Sequence, residues 1–247
     1  MKKLPLPSEL CYLLGMMVLA IGTVFMEHAE LGLAPIVAPA YVIHDWLSPY
    51  LPWLSFGVAT FLFQGILLLV LALILQRFNL YFLFSFLSGF LMGTLFDVVE
   101  ALLTKIPTGS LWLFSHETGA RVCLLFLGII LYSAGVSLLL FSYFAPEVYE
   151  LFVDELSLAY GWRFPLVKTI YDCASILLAL VISFIALGHV DLRGVGLGSV
   201  IFAILDGGFI ALFSALNKRI IRGVDLLPWR RFFHRDEEEK AGEEANH

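Results

Sequence analysis

The chain has 247 residues, of which 60% are apolar and only 15% charged, with a formal net charge of −6 and a mean hydropathy of +0.90. A soluble domain carries about a quarter charged residues and could not hide this much Leu, Ile, Val and Phe in one core. Composition therefore excludes a disordered chain, a nucleic-acid binder and a secreted disulfide scaffold, and leaves an integral membrane protein. Cys11, Cys123 and Cys173 sit in apolar runs with no zinc-ligand spacing, so they are expected as buried packing thiols and no cofactor or metal is expected.

A helix needs about 20 apolar residues to cross about 30 Å of hydrocarbon. Runs of that kind lie near 9–27, 54–76, 81–104, 121–143, 165–188 and 195–217. None shows the period-two alternation of barrel strands, so six transmembrane helices are predicted. The first follows Lys2 and Lys3, but Leu10 to Met26 is long for a signal-peptide core and Ala38-Pro39-Ala40 lies too far beyond it for cleavage. It is read as a retained span capped by Ser8 and Glu9.

Two stretches between these spans are shorter. Residues 33–52 (LAPIVAPAYVIHDWLSPYLP) are apolar but broken by four prolines. Residues 145–160 (APEVYELFVDELSLAY) set Glu147, Glu150, Asp154 and Glu155 at helical spacing. That pattern predicts a short helix at the interface or dipping partly in, and a solvated amphipathic helix is the favoured reading. The tail from 218 to 247 begins basic and aromatic (WRRFFHR) and ends acidic (DEEEKAGEEANH). Its first part is expected on anionic headgroups and its end partly disordered.

With the N-terminus inside, twelve Lys and Arg fall on the cytoplasmic side and only Lys105, Arg121 and Arg193 outside. This places both termini in the cytoplasm. Tyr50, Trp53, Trp112 and Trp162 stand at predicted water–lipid boundaries.

The chain also matches itself. Gly15 and Gly22 answer to Gly128 and Gly135, Ala34-Pro35 to Ala145-Pro146, and Gln64 to Asp172. GFLMGTLFD (89–97) answers to GSVIFAILD (198–206), pairing Gly89 with Gly198 and Asp97 with Asp206. Units of three spans, about 8–105 and about 120–217, must enter the membrane from opposite sides. The predicted fold is an all-α membrane protein of two inverted three-helix repeats, each with a short broken or interfacial segment.

LGLAP (31–35), GTLFD (93–97), APEVYELFVDEL (145–156), KTIYDC (168–173) and GVGLGSVIFAILDGG (194–208) together resemble the YczE/YyaS/YitT-type bacterial membrane proteins over nearly all of 10–217. Members usually carry Thr where Ser199 stands, and a small or apolar residue with Gly-Pro where Asp206-Gly207-Gly208 stands. The resemblance implies a multi-pass protein of the bacterial plasma membrane with largely undefined activity.

Charged groups inside spans are costly, about 2.5–3.5 kcal/mol for a centred Asp, and normally have partners. Asp97, Asp206, Glu100, Gln64 and Asp172 are the candidate substrate- or ion-binding residues. Asp97 and Asp206 are expected to meet at the pseudo-twofold axis and share a proton or cation, with Gly89, Gly93 and Gly198 allowing the close approach. Lys168 and Asp172, four apart, are expected to pair on one helix face. His28 with Glu30, His44 with Asp45, and His116 with Glu117 read as solvated loop groups, and GVGLG opens a membrane helix without the preceding strand of a nucleotide loop. No catalytic constellation stands out, so the expectation is not an enzyme but a small-solute permease or secondary transporter coupled to protons or cations. The alternatives are an accessory protein for assembly, secretion or regulation, or the substrate-capturing subunit of an uptake complex. Expected partners are the bilayer, a small-molecule or cation substrate, and a second copy or another membrane protein.

Overall fold

A computed structural model describes residues 4–76, 78, 80–105, 112–115, 117–189 and 194–224. Arg77, His116, Arg193 and the tail from 225 onward lie outside the described residues, as does the expectation for that tail. Among the described residues six helices are long and apolar enough to cross a membrane. They are α1 (Ser8–Ala29), α3 (Phe56–Leu75), α4 (Leu80–Leu103), α5 (Thr118–Phe141), α7 (Phe164–Leu187) and α8 (Leu197–Ile220). Two short helices, α2 (Ala38–Leu47) and α6 (Val148–Ala159), interrupt the series after α1 and after α5.

The outer surface is apolar. Leu73, Ile185 and Leu197 are 76–80% exposed, which only lipid tails can cover without cost. Tyr50, Trp53, Trp112 and Trp162 are exposed at element ends. Cys11 is buried as expected, but Cys123 and Cys173 are exposed: the solvent their apolar helix faces match is the bilayer rather than the protein interior.

Leu4–Pro7 forms a short parallel ladder, β1, with Ile221–Val224, β2. This brings both ends of the bundle to one side, called here the terminal side, as an even number of crossings requires. The ladder was not expected from sequence, since Pro5 and Pro7 weaken any strand signal; as an edge strand β1 tolerates them. It also places 221–224, counted with the tail, in the folded body.

The core is the α1–α5 crossing. A Cβ at Gly22 would sit 2.5 Å from Tyr132 N and 2.7 Å from Gly128 O, and one at Gly15 3.0 Å from Gly135 O. Four glycines thus let two backbones touch, the small-residue packing that holds helices together in lipid. Around this seam α1 packs on α4 and α5 on α8, α3 on α4 and α7 on α8, α2 on α3 and α6 on α7, and α2 on α7 and α6 on α3.

Arg121 at the start of α5 closes the end of α1, donating to the carbonyls of Ala29 and Glu30 at 2.8 Å each and meeting the Glu30 carboxylate at 3.4 Å. Glu30 is exposed as expected, with Arg121 as an ion-pair partner, and His44 Nδ1 lies 2.7 Å from the carbonyl of Leu54.

Candidate functional site

The two short helices create the site. Each follows an arm of chain that runs inward and then turns back as a helix. On the first arm, Leu33, Ala34, Ile36 and Val37 are all buried. It is tied to the start of α8 by Gly198 N donating to Leu31 O (2.7 Å) and Leu33 N donating to Gly194 O (3.2 Å). Gly32 holds φ +115° there, and a Cβ on it would strike Gly196 and Ser199, so only glycine fits. Helix α2 then begins with Ala38 and Val42 in one cluster with Ala179, about 12 Å short of the end of α7 at the helical rise.

The second arm is held by Ser88, which accepts from Tyr12 Oη at 2.6 Å and lies 3.1 Å from Ala145 O. Helix α6 then starts beside Gln64, in the middle of α3. Gln64 Nε2 donates to Glu147 Oε2 (2.9 Å), and its Oε1 accepts from Val148 N (3.4 Å). One amide thus satisfies both the N-cap carboxylate and the first free N–H of α6. Gly89 makes the space, since a Cβ there would collide with Gln64 Oε1.

Val148, Tyr149, Glu150, Leu151, Phe152, Val153, Glu155 and Ser157 are all buried. This corrects the solvated reading of 145–160. The acidic residues at helical spacing face other protein groups, and a periodicity argument cannot distinguish that environment from water.

Helix α6 also packs on α7, and with residues of α5, α7 and α8 it lines a small cavity. Lys168 Nζ donates to Asp172 Oδ1 at 2.8 Å and lies 3.8 Å from Asp206 Oδ2. Asp206 Oδ1 is 2.8 Å from Ser133 Oγ. A cavity of about 10 Å³ lies between them, lined in part by Ile36, Tyr149, Glu150, Lys168 and Asp206, room for about one water. Glu150 Oε2, Tyr132 Oη and Tyr149 Oη are buried with no hydrogen-bond partner, so polar capacity is left over around that cavity. Glu147 is held well above the ordinary carboxylate value by burial and then by the nearby Glu150, against the lowering effect of Gln64. Burial raises Glu150 to about 7, against the pull of Lys168.

Gln64, Asp172 and Asp206 are therefore brought to one site, and Lys168 pairs with Asp172 as expected. Asp97 is not. It accepts from Ser55 Oγ (2.6 Å) and Gly57 N (2.8 Å), closing the start of α3, while Asp206 is bonded to α5 and α7. The expected Asp97–Asp206 pair does not form. The glycines thought to bring them together do other work: Gly93 meets Gly57, Gly89 lies under Gln64, and Gly198 meets Leu31. Glu100 is half-buried near the end of α4 and carries no bond to the central group. Glu147, Glu150, Tyr132, Tyr149 and Ser133 were missed. The available signal was the acidic pair directly after Ala145-Pro146, at the place where the first half carries Ile36 and Pro39. Among the described residues no three His, Cys, Asp or Glu side chains are grouped as metal ligands.

No curated protein and no solved structure matches this chain. A family described as being of unknown function, DUF6198, matches residues 6–215, nearly the whole folded body. That match carries no YczE/YyaS/YitT name; what it shares with the resemblance above is a multi-pass membrane chain without an assigned activity. The chain belongs to the DUF6198 family of unknown function.

Proposed function

We propose that this protein is a secondary transporter or permease for a small solute, coupled to protons or cations through carboxylates at the middle of the bundle, rather than a catalyst. The observation that carries the reading is the α6 half-helix. It delivers Glu147 and Glu150 beside Gln64, Lys168, Asp172 and Asp206, at a depth where an acidic group without function would only cost stability. Half-helices ending near the midplane, at the junction of two repeats, are the usual place for a transport site.

The proposal includes an inverted arrangement of the two three-span units, and the glycine contacts support it. Gly15 matches Gly128 in sequence and Gly22 matches Gly135, yet in space Gly15 meets Gly135 and Gly22 meets Gly128. Matched positions that exchange partners are what an isologous, twofold-related contact produces. The remaining helix contacts pair in the same way: α1–α4 with α5–α8, α2–α3 with α6–α7, and α2–α7 with α3–α6. Rocking of one unit against the other would expose the site to each side in turn. The excess of Lys and Arg supports placing the terminal side in the cytoplasm, and the bacterial plasma membrane is the location proposed.

The test is thermal stabilisation of purified protein across a metabolite panel, where a ligand at 100 times its Kd adds about 2.7 kcal/mol. The reading expects at least one hit that Asp206→Asn abolishes while folded yield is kept. Silence across the panel, with a membrane protein copurifying, would overturn it in favour of an accessory role.

A further inference from the structure

The central site holds a positive charge of its own. Lys168 Nζ is 2.8 Å from Asp172 and 3.8 Å from Asp206. It stands where a small metal ion would have to sit to neutralise those carboxylates, and an ammonium there repels a second cation. The neighbouring cavity of about 10 Å³ admits about one water and not a hydrated ion.

The carboxylates are not equally served. Asp172 has Lys168 and Glu147 has Gln64; Asp206 has Ser133 at Oδ1, while its Oδ2 has no hydrogen bond but faces the Lys168 ammonium at 3.8 Å. Glu150 is 5% exposed, lines the cavity, and keeps Oε2 without any hydrogen-bond donor. A buried carboxylate oxygen in that position is stable when it carries a proton or meets water.

We propose that Lys168 permanently fills the cation position of this site, so that the ion exchanged there is a proton, taken up and released at the Glu150 carboxyl. The inference rests on the transporter reading for its purpose but not for its chemistry. Water in the cavity delivers the proton to Oε2, leaving a neutral acid, and accepts it again when the site opens to the other side. Each residue then has one part. Lys168 holds Asp172 and Asp206 ionised, while Glu150 is the group left to titrate. The charged and titratable groups around Glu150 are Glu147 and Tyr149 on α6, Lys168, Tyr171 and Asp172 on α7, Asp206 on α8 and Tyr132 on α5.

The sign of the pH effect follows. With a folded value of about 7 against an ordinary 4.5, the folded protein binds the extra proton between those limits. Stability is then greatest below the lower limit, falls as pH rises through the window, and is flat above it.

The experiment uses the purified full chain in nanodiscs, melted between about pH 5.5 and about pH 8.5 in sodium chloride or choline chloride of equal ionic strength. The wild type should lose stability as pH rises, levelling above neutrality, with no response to sodium. Glu150→Gln should flatten the profile, and Lys168→Ala should gain stabilisation by sodium. Infrared spectra of the wild type supply a check that needs no variant: the band of a protonated carboxylic acid should disappear near neutral pH. Sodium stabilisation of the wild type, an unchanged profile in Glu150→Gln, or no carboxyl band titrating near neutrality would each overturn the proposal. No substrate enters these measurements. A silent metabolite panel with a titrating Glu150 would therefore refute the transporter reading alone.

Discussion

Gln64 is a single amide serving two groups that would otherwise be orphaned deep in the bundle, the Glu147 carboxylate and the Val148 N–H. Truncating it strands both, at a cost of about 1–3 kcal/mol for each buried group left unsatisfied. Gln64→Ala should therefore lower the melting temperature clearly, whereas Leu69 on the same helix is 65% exposed and has no polar partner to strand; a Leu69→Ala control should melt near wild type. Gln64→Glu adds an acid beside Glu147, and its deficit should shrink as pH is lowered. Asp97 gives the contrasting case. Its two acceptor bonds close the start of α3, so Asp97→Ala should cost about 1 kcal/mol, as loss of a helix cap does, while any ligand response of the central site persists. Polar groups inside long apolar runs announce themselves because the surrounding sequence has no use for them, which is why Gln64, Asp172 and Asp206 could be picked out by eye. Glu147 and Glu150 could not, because Glu and Asp at helical spacing in a short segment look alike whether they face water or one lysine and a cavity. The pairing of Asp97 with Asp206 failed for a related reason. Sequence matches between the two halves, even where they reflect the proposed symmetry, do not set a residue's distance from its axis.

The α1–α5 seam is set by glycine at the element scale. Atoms within 2.5–3.0 Å of a Cβ at Gly22 are all backbone, so no rotamer change relieves the clash. Gly22→Val should separate the helices and cost at least the 1–3 kcal/mol typical of overpacking, read as a lower melting temperature. Gly207 and Gly208 have nothing within 4 Å, and Gly208→Ala should be neutral or slightly stabilising through helix propensity. The six spans were readable from sequence to within about three residues because length and hydropathy together leave few choices. The two half-helices were readable only as interruptions. Prolines at 35, 39, 49 and 52 mark a break but do not say whether the chain lies along the interface or dives inward. That depends on whether partners such as Gln64, Ser88 and Ala179 wait at depth.

For the whole molecule, β1–β2 pairing puts both ends on one side, and α6 opens back toward that side. In a variant whose native cysteines are replaced, single cysteines at Tyr160, 53% exposed, and at Glu117 before α5 should label from opposite faces of the membrane. Tyr160 should share its face with the termini. Labelling of both positions from one face would contradict six crossings. The claim on which the site depends is that α6 begins at the middle of α3, not at the headgroups. Its most direct test is a double variant, Leu68→Cys with Val148→Cys, since both positions are buried in one cluster, oxidised in intact membranes with copper–phenanthroline. An intramolecular disulfide, together with protection of the Val148→Cys single variant from a membrane-impermeant maleimide, is the result expected for a half-helix buried in the bundle. No disulfide, with ready labelling of that cysteine from water, would place α6 at the interface and remove the central site.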